Sequence, residues 1–212
     1  MSYTEEDARW DEFWEQTSKE LYPEHKEQAI EEFTAERLQS FYLKNPDILA
    51  PGLRMYIEAR ELQENHPSAS YVFATSAIEL FLKSSLLKPV VYGLVLNEAL
   101  AEIIVETALG SPGFERYKKL LSGLFSELIK IDINKVKSIE SDKFLLQEAS
   151  EVQGKRNKII HQGIIVDNND ANFAIGVAYG VLHNIIDPML LGIGLWMDKK
   201  GTVLERKEGK NV

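Results

Sequence analysis

The sequence predicts an all-α protein: a bundle of about five core helices with a helical amino-terminal arm and a short polar carboxy-terminal tail. Three observations lead there. Apolar residues recur at helical spacing through most of the 212 residues. Pro, Gly and Asn gather in short breaks between those stretches. Strand-like alternation is nearly absent, with WMDKKGTVLER as a weak hairpin candidate. The expected organisation is an acidic helical arm over residues 1–45, a helical bundle over 46–198 and a polar tail over 199–212.

Taken in order, residues 4–20 and 24–43 read as two amphipathic helices with polar outer faces, Pro23 standing where the second would start. Asn45-Pro46 and Pro51-Gly52 turn the chain away from this arm. A short helix is expected over 53–65, before the break His66-Pro67-Ser68. Tyr71 to Leu87 is apolar nearly all round, which places it at the centre, and Pro89 is expected to end it. Asn97 to Leu109 and Phe114 to Lys130 give two further helices, divided by Gly110-Ser111-Pro112-Gly113. A long helix is expected from about Ser141 to Gln162, with Gly163 as its stop. Asn169 or Asp170 then caps a helix over 171–186, on which Gly176 and Gly180 mark a close helix-packing surface. After Pro188 the chain stays apolar to Trp196.

Composition removes several chemistries. There is no cysteine, so disulfides, cysteine-ligated zinc, iron–sulfur clusters and thiol catalysis are excluded. The four histidines show no HExxH spacing, and DNNDAN lacks the glycine and closing glutamate of a calcium loop. No P-loop or GxGxxG is present, so no metal and no cofactor are expected. The acidic start has no apolar run of the signal-peptide type. Phe173 to Met197 is interrupted by His183, Asn184, Asp187 and Pro188, so no membrane span is expected and the expected location is cytoplasmic.

The net charge of −9 argues at first against a nucleic-acid partner. Of 33 acids and 24 bases, however, 12 and 3 fall in residues 1–36, leaving 21 of each in the remainder. The acidity belongs to the arm, as a solvated helix face or as an acidic element that competes with nucleic acid. A neutral body can still carry a local basic cleft.

One stretch carries chemistry: FLLQEASEVQGKRNKIIHQG, from Phe144. Leu145, Ala149, Val152, Arg156 and Ile159 form an apolar seam interrupted by an arginine. At about 100° per residue, Asn157 and His161 lie roughly 100° and 140° from Arg156 on one flank, with Lys158 on the far side. A guanidinium on an apolar stripe needs a partner, either a carboxylate inside the protein or something held in a cleft or by a second subunit. Asn157 and His161, four residues apart, can meet, so the amide can orient the imidazole. Imidazole suits proton transfer near neutral pH, and guanidinium offers a planar fork to phosphate oxygens. The set fits metal-free cleavage of RNA, with the 2′-hydroxyl as nucleophile, His161 moving the proton and Arg156 stabilising charge at phosphorus.

RNKIIH, Arg156 to His161, resembles the R-x4–6-H signature of HEPN domains, including the polar residue directly after the arginine. The companion helix ATSAIELFLKSSLL and the motif's place near the end of a late, long helix are similar to that family too. The resemblance covers about residues 53–190, outside the arm. It implies an up-and-down HEPN-like bundle, a homodimer in which two motifs share one cleft, and metal-independent endoribonuclease activity. It also implies a toxin–antitoxin or phage-defence setting with an antitoxin or other partner protein. Other members of the family are non-catalytic nucleotide- or protein-binding modules, which is the alternative here. A helical scaffold with Arg156 in an interface ion pair is a third.

Other side chains are weighed beside these. Glu79, among Ile78, Leu80, Phe81 and Leu82, is out of place as a free carboxylate. It is expected to pair with Arg156 as part of the site, or with Lys83 one turn on, or to be exposed. Lys155 and Lys158 either steer a phosphate backbone or are solvated. His183 reads as a hydrogen-bonded core histidine, and His25 and His66 as surface residues.

Overall fold

The computed structural model describes residues 35–94, 132–138 and 142–206, and these are mainly helical. Helix α1 occupies residues 35–44, followed by α2 (Ala50–Leu62) and α3 (Pro67–Leu80). A wider π-helical segment, Phe81–Leu87, continues α3 into α4 (Lys88–Leu94). A 3-10 turn, Ile133–Lys135, precedes α5 (Leu145–Gln162). Then come α6 (Asn168–Val181), a second π-helical segment (Leu182–Ile186) and α7 (Asp187–Gly192). Strands β1 (Leu195–Met197) and β2 (Val203–Glu205) close the described chain as an antiparallel hairpin, Trp196 opposite Leu204. The expected helices over 4–20, 97–109 and 114–130 lie outside the described residues, as does the start of the one over 24–43.

Specific contacts fix the directions of the long helices. The backbone N–H of Val166 donates to Ser68 Oγ at 3.2 Å, joining the starts of α3 and α6. At the other end the Tyr42 hydroxyl reaches the Ser85 carbonyl and Met189 Sδ. Helices α3 and α6 therefore run in the same direction. Helix α5 opposes both, because Lys155 pairs with Asp170 while Leu145 packs against Gly180. A Cβ on Gly180 would lie 2.9 Å from Leu145 Cδ1, so the close packing expected at that glycine is present. As expected from its composition, α3 is central, packing against α2, α5 and α6. Its Ala74, Ala77, Ile78 and the following Phe81 are buried.

The two prolines behave differently from expectation. Pro89 does not end its helix. Its missing N–H and its ring would conflict with the carbonyl four residues back, that of Ser85. The helix widens instead: the Lys88 N–H donates to Lys83, five residues back, and the Ser85 carbonyl receives the Tyr42 hydroxyl. The same event precedes Pro188, where the Asp187 N–H donates to Leu182. The helix expected over 171–186 consequently runs unbroken from Asn168 to Gly192. It is long and apolar enough to cross a membrane, but 61% of its most apolar window is buried inside the protein, as in a core helix.

Other boundaries move by a few residues. Helix α2 starts at Ala50, with Pro51 in its first turn, and not near residue 53. Helix α5 starts at Leu145 because Phe144 is held in an antiparallel bridge with Lys137, and the Leu145 N–H donates to Val136 at 2.9 Å. The cap of α6 is Asp167, not Asn169 or Asp170: its carboxylate accepts the Asp170 N–H at 2.9 Å. Packing also crosses the expected limits of arm and tail. Leu38 and Tyr42 of α1 are buried in the core, and so is Val203 of β2, whose N–H donates to Pro46 at 2.8 Å.

Candidate functional site

The seam expected on α5 is real. Leu145, Ala149 and Val152 are fully buried, and the line continues into half-buried Arg156 and Ile159. Gly163 ends the helix in the left-handed conformation (φ 66°, ψ 24°), its N–H donating to Ile159 at 3.2 Å. His161 therefore sits in the last turn, exposed, where unpaired carbonyls favour a cation.

Arg156 is the unusual group. Its Nη1 donates to Asn157 Oδ1 at 3.1 Å. Its Nε is buried without a hydrogen-bond acceptor. Among the described residues no carboxylate pairs with it. Among the described residues, the internal ion pair that would make this arginine a purely structural feature is not formed.

The structure separates some residues that spacing had brought together. Glu79 is half-buried, but its Oε1 accepts from Gln153 Nε2 at 2.9 Å and not from Arg156. Asn157 bonds Arg156, not His161, although the four-residue spacing allows the latter. Lys158 is exposed on the outer face. Lys155 is taken up by Asp170 at 2.5 Å, a partly exposed pair that ties α5 to α6. Around His161, Ile160 and Ile165 are exposed by 47% and 90%, leaving apolar surface beside the motif.

Three residues near the motif were not read from the sequence as belonging to it. Gln153 lies one turn ahead of Arg156 and joins α5 to α3 through Glu79. Asp170 anchors Lys155, and no spacing rule links residues on separate helices. Tyr71 is buried on α3; burial raises its hydroxyl pKa, and the carboxylates of Asp170 and Glu151 add to the rise. His183 is half-buried as a hydrogen-bonded histidine, with Nδ1 2.6 Å from Asp187 Oδ2 and its ring 4.1 Å from that of Tyr179. Among the described residues no group of three or more His, Asp or Glu could hold a metal ion.

Compared with family models, with curated proteins and with solved structures, the chain matches none of them.

Proposed function

We propose that this protein is a metal-independent endoribonuclease of HEPN type. The observation that carries the reading is the state of Arg156: half-buried on an apolar seam, with no carboxylate neutralising it among the described residues. A guanidinium kept in that condition is suited to an anion from outside, and a phosphodiester matches its fork. In the reaction, imidazole of His161 takes the proton of an RNA 2′-hydroxyl, and that oxygen bonds to the adjacent phosphorus. The bond from phosphorus to the 5′-oxygen breaks, and the leaving oxygen collects a proton from a protonated imidazole. The products are a 2′,3′-cyclic phosphate and a free 5′-hydroxyl. Arg156 stabilises the charge that builds on the phosphoryl oxygens.

Arg156 and His161 are separated by about 7.5 Å along the helix and about 140° around it. A homodimer with two motifs in one cleft brings the two groups to one phosphate, and exposed Ile160 and Ile165 offer the apolar surface for such a contact. The toxin–antitoxin or phage-defence setting, the cytoplasmic location and an antitoxin partner follow from the resemblance alone. The acidic arm favours a second reading, a non-catalytic module that binds a nucleotide or a partner protein.

Cleavage of a mixed RNA pool in EDTA distinguishes the two. The wild-type chain is expected to leave 2′,3′-cyclic phosphate ends, and His161→Ala and Arg156→Ala to cut at least about 100-fold more slowly. Intact RNA with folded wild type at high concentration selects the binding module, unless deletion of residues 1–34 restores cutting.

A further inference from the structure

We infer that Asn157 is the positioning residue of Arg156, and not of His161, gripping the guanidinium while leaving its charge free for a phosphate. This rests on the ribonuclease reading for its chemistry and on the local geometry for its assignment. The Nη1 to Asn157 Oδ1 contact at 3.1 Å is the hydrogen bond that the guanidinium makes among the described residues. The stem end is enclosed: Nε is buried and has no acceptor among the described residues, so hydrogen bonding there does not fix the fork. Asn157 is exposed and sits on the adjacent residue, so its amide sets the direction in which the fork opens at the surface.

The identity of the acceptor matters. An amide oxygen accepts a hydrogen bond as a carboxylate does, but it carries no net charge. Aspartate at 157 would hold the same nitrogen and cancel the positive charge, and the site would then compete poorly for an anion. Alanine would release the fork and leave the charge intact. Asn157 thus separates geometry from neutralisation, and its two variants separate them in measurement.

The experiment uses the full chain with Asn157→Ala and Asn157→Asp. It follows cleavage of an RNA oligonucleotide, binding of its 2′-O-methyl form, and NMR signals of Arg156 N–H groups and the His161 ring. Asn157→Ala is expected to lower kcat about 10- to 100-fold with an unmoved pH–rate profile. Its Arg156 N–H signals should broaden while the His161 titration stays as in wild type. Asn157→Asp is expected to keep those signals sharp, raise KM about tenfold and lower kcat as well, because a neutralised Arg156 both holds the phosphate and stabilises its transition-state charge less well. A shifted His161 titration with unchanged Arg156 signals in Asn157→Ala would overturn the inference. If wild type cuts no RNA, the ribonuclease reading falls, yet the two sets of NMR signals still decide which side chain Asn157 holds.

Discussion

Tyr42 shows how much a single buried polar atom can organise. Its ring is fully buried, and its hydroxyl donates to the Ser85 carbonyl, the group that Pro89 deprives of its ordinary helical partner. Replacing it with phenylalanine keeps the shape and removes the donor, stranding a carbonyl in the core. Tyr42→Phe is expected to cost about 1–3 kcal/mol. The check is a urea titration in which the midpoint falls and the slope is unchanged. An unchanged midpoint would mean that another donor reaches Ser85. Arg156 is the opposite case: a charged group to which the described residues offer an amide oxygen, that of Asn157, and no carboxylate.

At the level of elements, glycines decide where helices and turns can end. Gly163 and Gly201 both have positive φ, 66° and 85°, yet their surroundings differ. A Cβ on Gly163 would meet open space, whereas on Gly201 it would fall 2.8 Å from the Ala50 backbone. Gly163→Ala is therefore expected to cost about 1 kcal/mol, from strain alone. Gly201→Ala should cost about 2–3 kcal/mol, because the hairpin must also lift from α2. Chemical denaturation of the two variants side by side tests the order, and equal losses would contradict it. The Gly163 position also sets where His161 stands in the last turn of α5, so this small cost sits next to the proposed chemistry.

For the molecule as a whole, two buried tyrosines make stability sensitive to alkali. Burial raises the hydroxyl pKa of Tyr42, and burial followed by the nearby Asp170 and Glu151 carboxylates raises that of Tyr71. In the unfolded chain both titrate near their ordinary value of about 10. The folded state holds these protons more tightly, so their contribution is fully present below about pH 10 and is lost as pH rises beyond it. Urea midpoints are expected to fall on going from about pH 9 to about pH 11, less steeply in Tyr42→Phe. A midpoint with the same alkaline dependence in wild type and variant would count against Tyr42 as a contributor.

Much of this protein was legible as a pattern along one chain. The mainly helical character, the central place of the helix through Tyr71–Leu87, the seam of α5 and the stop at Gly163 all follow from periodicity and local backbone preference, which are properties of neighbouring residues. So does the candidate motif, because Arg156 breaks an apolar stripe that can be counted from the sequence. Choices between equally spaced or distant partners were not legible. Asn157 reaches Arg156 and not His161, Gln153 and not Arg156 meets Glu79, and Lys155 finds Asp170 across two helices. The prolines make the same point: each was a local stop signal, but a helix widened by one residue per turn remains continuous where tertiary contacts, such as Tyr42 on Ser85, satisfy what it leaves open. Sequence by itself determined which faces must be buried, since that depends on spacing. Only the tertiary structure decided which polar group meets which, because several partners lie within reach of each side chain and packing selects among them.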